Sequence, residues 1–152
     1  MPKTVIIADD EEHIRDLFSS AMEYLSYEVI GKANNGQEAV DLYKENNPYL
    51  LLLDINMPVK KGIEVAEEIL EYNHNAFIIF LSINVLSKSN AKLLEMINNS
   101  NTVFFIRKDN PLPKIVSLIR NSIKMYEENK SKIKFDFKEI MLEAQEDEKY
   151  SV

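Results

Sequence analysis

Short apolar runs alternate along the chain with stretches in which apolar residues recur every three or four positions. The runs are Lys3 to Ala8, Tyr27 to Lys32, Leu50 to Asp54, Ala76 to Leu81 and Thr102 to Ile106, each of a length that suits a strand. The consecutive leucines Leu50 to Leu53 are too few for a membrane span and predict a strand covered on both faces. Ile14, Leu17, Phe18, Ala21 and Leu25 predict an amphipathic helix of about four turns with those side chains inward. Ala39, Val40 and Tyr43 mark a second helix, preceded by the turn signal Asn34-Asn35-Gly36 and closed by Asn46-Asn47-Pro48. The third spans Gly62 to Tyr72, with Ile63, Ala66, Ile69 and Leu70 inward. Ser87 or Ser89 is placed to cap a fourth that runs to about Ile97. Pro111 and Pro113 open a fifth, whose apolar face is Leu112, Ile115, Val116, Ile119 and Ile123.

Strand and helix therefore alternate through the chain. Buried strands in that order predict an α/β domain, a parallel sheet with helices on both faces joined by right-handed crossovers. In such a sheet the C-terminal strand edges share one rim. Asp9 and Asp10 follow the first strand, Asp54 ends the third, Ser82 follows the fourth and Lys108 follows the fifth. An isolated Asp at a strand end ordinarily opens a turn or caps a helix. The second acidic cluster on the same rim is what makes Asp54 a candidate for chemistry.

Composition narrows the classes. A chain of 152 residues predicts one domain burying roughly 70% of its unfolded surface. The net charge of -7 argues against a nucleic-acid-binding face. Absence of cysteine excludes a disulfide framework and thiolate chemistry, which is compatible with the cytosol. No signal-peptide pattern precedes the first strand and no apolar run approaches the roughly 20 residues of a membrane helix, so a soluble, cytoplasmic protein is expected.

Three carboxylates held together repel one another unless a cation compensates. With no cysteine, and neither His13 nor His74 at the C-terminal end of a strand, the oxygen donors suit Mg²⁺ better than zinc. A carboxylate beside a hard cation can act as a nucleophile and carry an aspartyl phosphate. Roles then follow from charge. Asp54 is expected to accept the phosphoryl group, while Asp9 and Asp10 hold Mg²⁺ with a backbone carbonyl near Asn56. Lys108 pairs with phosphoryl oxygens and Ser82 supplies a hydroxyl.

Asp9-Asp10, Asp54-Ile55-Asn56-Met57-Pro58 with Gly62 following, Ser82, and Phe105 three residues before Lys108 together resemble the receiver domain of bacterial two-component response regulators, of the chemotaxis-regulator type. The resemblance covers residues 3 to 126. It implies a flavodoxin-like, doubly wound (βα)5 sandwich with a five-stranded parallel sheet. It implies Mg²⁺-dependent phosphorylation of Asp54 by a sensor histidine kinase, a phosphotransfer protein or a small phosphodonor. Ser82 would then move toward the phosphate and Phe105 would swing inward. The face made by the fourth helix, fifth strand and fifth helix would change for a downstream protein or a second copy of the chain. Such a protein is a self-phosphorylating and self-dephosphorylating switch and not a metabolic enzyme.

The chain departs from that family in places. Ile83 stands where a small residue usually follows the hydroxyl, and is expected to slow loss of the phosphoryl group by hindering water or a phosphatase. Asp109 stands where Pro usually follows the Lys. It predicts a trans bond or a shifted loop, and adds negative charge near the site. The long spacing from Ser82 to Lys108 predicts an extension near Asn98 to Asn101. His13 and His74 read as surface residues, Phe104 as core, and Lys60-Lys61 as a solvated pair or an aid to steering a phosphodonor.

Residues 1–128 are expected to form the receiver and 129–152 a helical extension. In the extension Ile133, Phe137, Ile140 and Ala144 keep a helical spacing. The stripe predicts either a separate helix packed on the domain or one long helix that pairs with a second copy. The extension is too short for a DNA-binding domain, so the chain is either a stand-alone receiver or part of a longer protein. Three other readings are open. A haloacid-dehalogenase-type phosphatase would need an Asp at Asn56 as general acid. A flavodoxin-like cofactor binder would need a phosphate loop where Asp9-Asp10-Glu11-Glu12 repels phosphate. A degenerate receiver would dock partners without phosphorylation.

Overall fold

In the computed structural model, which describes residues 3–83 and 91–128, the apolar runs form β1 (Lys3–Ala8), β2 (Tyr27–Ala33), β3 (Leu50–Asp54), β4 (Ile78–Ser82) and β5 (Val103–Arg107). The helices between and after them are α1 (Glu12–Tyr24), α2 (Gly36–Asn46), α3 (Gly62–Tyr72), α4 (Ala91–Asn99) and α5 (Leu112–Glu127). The expected helical extension over 129–152 and the expected Ser87 or Ser89 cap lie outside the described residues. The strands form one five-stranded parallel sheet in the order β2-β1-β3-β4-β5, the expected doubly wound arrangement. Contacts group the chain into two compact units, Met1–Leu81 and Ser82–Val152.

In the first unit β3 carries the core. Leu50 to Leu53 and Ile78 to Phe80 beside them are fully buried, and Val5 to Ala8 of β1 nearly so. Val5 to Ala8 pair with Leu50 to Leu53 and Leu51 to Asp54 with Ile78 to Leu81, so β3 has a partner on each edge as well as cover on each face. The start of β4 falls two residues later than its apolar pattern predicts. Ala76 and Phe77 are nonetheless buried, and the Phe77 carbonyl accepts the Leu51 N–H at 3.0 Å.

Local chemistry sets the helix ends. The Asn35 side chain caps α2 by accepting the Glu38 N–H at 2.9 Å. Asn47 closes the same helix in the left-handed conformation, φ 44°, one of the few non-glycine residues that does so readily. Pro48 then prevents continuation. The inward face of α1 differs from the expected one: Phe18, Ser19, Ala21 and Met22 are buried, while Leu17 is 41% exposed. The helix is rotated toward Met22, and Ser19 tolerates burial because its hydroxyl donates to the Arg15 carbonyl at 2.8 Å. On α3 the buried set is Gly62, Val65, Ala66 and Ile69, with Ile63 and Leu70 only half-buried.

In the second unit, Leu93, Leu94 and Ile97 of α4, Val103 to Ile106 of β5 and Ile115 and Ile119 of α5 are buried. On α5, Ser122 joins the buried face while Leu112 remains exposed at 36%. The polar run Asn98 to Asn101 ends α4 and turns into β5, where the Ser100 hydroxyl accepts the Thr102 N–H at 3.2 Å.

Two truncations distinguish core from surface. Leu52→Ala should lower unfolding free energy by roughly 2–5 kcal/mol. Leu17→Ala, although also on a predicted apolar position, should stay within about 1 kcal/mol of wild type. Urea denaturation of the two variants, read by far-ultraviolet circular dichroism, measures both.

Candidate functional site

The sheet order reverses between β1 and β3, and it is past the C-terminal ends of strands at such a point that doubly wound sheets open a crevice for chemistry. Asp9 and Asp10 lie just past β1 and Asp54 is the last residue of β3. One carboxylate oxygen from each lies within 4.8 Å of the others. Asp9 and Asp54 are buried, at 2% and 6% exposure, and Asp10 faces solvent. The cluster thus has one carboxylate open to solvent and two that are not.

Backbone groups hold the two buried carboxylates. Asp9 donates its N–H to the Ala33 carbonyl at 3.0 Å and accepts the Glu11 N–H on Oδ1 at 3.0 Å. The Arg15 guanidinium reaches back to the Asp9 carbonyl at 2.7 Å, which ties the start of α1 to the strand end. Asp54 Oδ1 faces the Asn56 N–H at 3.4 Å. An all-oxygen set of three carboxylates, one of them solvent-facing, fits a hard divalent cation that keeps part of its water shell, as Mg²⁺ does.

The loop from Asp54 to α3 is short and tightly folded. The Gly62 N–H donates to the Ile55 carbonyl at 2.8 Å, and a Cβ on Gly62 would come within 2.7 Å of the Ile55 Cα and closer still to the Asp54 carbonyl oxygen. At the loop's tip Lys60 N–H donates to the Pro58 carbonyl at 2.8 Å across Val59, which adopts φ 71°. That is an unfavourable region for a β-branched residue.

A family model for the response regulator receiver domain matches residues 5–120. The chain belongs to that family. It is similar to the chemotaxis protein CheY of Halobacterium salinarum, 43% identical over 79 residues that make up 52% of this chain and 65% of the relative. The chain thus spans just under two thirds of that relative's length. It is also similar to the polar-differentiation response regulator DivK of Brucella anthropi, 30% identical over 80% of this chain and 96% of the relative. Among solved structures it resembles the response regulator TrrA of Thermotoga maritima in complex with Mg²⁺ and BeF, at a TM-score of 0.67 and 28% identity over 79% of this chain and 98% of that one.

The remaining residues expected at the receiver's site lie in the second unit. Ser82 is fully buried at the end of β4, and its carbonyl accepts the Lys108 N–H at 2.9 Å. Lys108 follows β5 directly, and Phe105, 9% exposed, lies within that strand. Phe104 is core, as expected. Ile83 is 62% exposed. Among the described residues no peptide bond is cis, so the Lys108–Asp109 bond is trans. Asp109 does not stand as an uncompensated charge, because Arg107 pairs with it through two nitrogens, at 3.1 and 2.6 Å. His13 and His74 are exposed.

Lys60 departs from the reading of a solvated pair. Its ammonium pairs with Glu68 on α3, and Lys44 of α2 approaches the same carboxylate at 3.5 Å. Sequence offers no signal for this, since the partners come from a loop and two helices. The hydrogen bond from Lys60, with burial opposing and Lys44 assisting, holds the Glu68 carboxyl below the usual carboxylate range. The folded state then takes up that proton less readily than the unfolded state. The resulting stability is present at neutral pH and is lost as pH falls through the lowered value. The stability gap between wild type and Glu68→Gln, measured by urea unfolding, should therefore be largest at neutral pH and close in acid.

Proposed function

We propose that this receiver is a phosphorylation-controlled switch whose acceptor is Asp54. The observation that carries the reading is the convergence of Asp9, Asp10 and Asp54 within 4.8 Å at the reversal of the sheet. A carboxylate oxygen of Asp54 attacks the phosphorus of a phosphohistidine or an acyl phosphate. A P–O bond to Asp54 forms as the bond to the imidazole nitrogen or acyl oxygen breaks, and the electron pair leaves with the donor. Attack by water later returns the Asp54 carboxylate and inorganic phosphate.

Asp9 and Asp10, with Asp54 and a backbone carbonyl at Asn56, would hold Mg²⁺. When bound, the ion supplies positive charge that offsets the crowded oxygens. The Lys108 ammonium pairs with phosphoryl oxygens and the Ser82 hydroxyl donates one hydrogen bond. Phe105 repositions in response, and the face of α4, β5 and α5 presents itself to a downstream protein or to a second copy of the chain. A histidine kinase or phosphotransfer protein is the natural phosphodonor, in the cytoplasm. Family membership supports this chemistry, as does the similarity to TrrA, which was solved with Mg²⁺ and BeF. Among the described residues no helix is long and apolar enough to cross a membrane. Residues 129–152 are read as an extension of the receiver at 1–128.

Intact mass after incubation with acetyl phosphate tests the acceptor. Wild type should gain one phosphoryl group only with Mg²⁺, and Asp54→Asn should gain none. No gain in wild type would sink the reading and favour a module that docks partners without phosphorylation.

Ile83 follows the proposed hydroxyl donor and is open to solvent at 62% exposure. Its side chain is read as a screen over the phosphoryl group, so Ile83→Ala should shorten the life of the phosphorylated form severalfold. An unchanged decay of the phosphorylated mass would remove that role.

A further inference from the structure

Gly36 opens α2, a helix and a strand away along the chain from the acceptor loop, yet its backbone lies directly against that loop. Its N–H donates to the Pro58 carbonyl at 3.3 Å. A Cβ at this position would lie 2.7 Å from both the carbonyl carbon and the Cβ of Lys60, and closer still to the Lys60 carbonyl oxygen. Ordinary contact begins at 3.4 Å, so the Lys60 backbone would have to move. No described glycine has positive φ, so Gly36 is not there for its backbone freedom. It is there for room.

The loop is confined from the other side as well. Gly62 lies against the Asp54 carbonyl and Ile55, and the Lys60 ammonium is tied to Glu68 on α3. Between these fixed points Val59 is driven to φ 71° at 81% exposure, a conformation for which its own side chain offers no compensation. Displacing Lys60 would therefore push on Asn56, which lies within the same clamped loop, while Asp54 remains paired within β3.

We propose that Gly36 is a positioning residue for the acceptor site. The absence of a side chain there lets the β3–α3 loop seat where Asp54 and the Asn56 carbonyl serve the same cation as Asp9 and Asp10. The inference rests on the reading of Asp54 as acceptor and adds a residue outside the acidic cluster to it. Gly31 provides a control in the same unit, because a Cβ there would meet Ile6 and Leu42 side chains at 3.4 Å, an ordinary contact.

The test is Mg²⁺ affinity, measured by isothermal titration on wild type, Gly36→Ala and Gly31→Ala, with acetyl phosphate labelling run alongside. Gly36→Ala should bind Mg²⁺ about tenfold more weakly, the scale of losing a residue that orients metal ligands, and should shift the amide resonances of Asp54 and Asn56. Gly31→Ala should bind as wild type does. Equal affinity of Gly36→Ala and wild type would overturn the proposal. If Gly36→Ala does not fold, the comparison becomes Gly36→Ala/Val59→Gly against Val59→Gly, since glycine at 59 relaxes the turn and gives the loop freedom to yield. Equal affinities in that pair, or failure of the double variant to fold, would equally overturn it. A wild type that binds Mg²⁺ but takes no phosphoryl group would remove the Asp54 reading, leaving the affinity comparison to decide on Gly36. A wild type with no Mg²⁺ affinity would overturn both.

Discussion

Burial of β3 on both faces and both edges is the constraint from which the site follows. Four fully buried leucines, paired with β1 on one edge and β4 on the other, leave the strand no freedom of register. A one-residue slip would break two ladders and carry Asp54 into or out of the core. The strand therefore delivers its terminal carboxylate to one place, and β1, locked to the same leucines, delivers Asp9 and Asp10 beside it. Hydrophobic packing, which is non-directional, achieves a directional result because the parallel ladder converts it into register.

That delivery brings like charges together, at a cost. Asp9 and Asp54 are buried, and backbone N–H groups from Glu11 and Asn56 satisfy part of their hydrogen-bonding capacity. Hydrogen bonds of this kind do not cancel the mutual repulsion of three carboxylates. A hard cation would, which is why three clustered oxygen donors suit one.

The loop after Asp54 is held in place without side-chain bulk. Gly36 and Gly62 let the backbone approach from two sides, and the strained turn at Val59 lies between them. Lys60, Glu68 and Lys44 add an ionic tie across α2, α3 and the loop, partly exposed and thus modest in energy. Close backbone contact, unlike that tie, is neither screened by salt nor lost by rotamer changes.

The alternation of apolar runs and helical periodicities was enough to determine the (βα)5 order, the both-face burial of Leu50 to Leu53 and the placing of Asp9, Asp10 and Asp54 at strand ends. Those features depend on period and on strand termination, both of which are local. Which side of α1 faces inward was not legible: Leu17 and Met22 are both apolar, and only packing against the sheet selects Met22. The partners of Lys60 and of Asp109 were equally hidden, since an ion pair depends on where a side chain meets a neighbour in space. Gly36 read as a turn residue, because a turn and a close backbone approach have the same one-letter signature. Tertiary structure alone distinguishes them, by placing the Lys60 carbonyl where a methyl group would have to be.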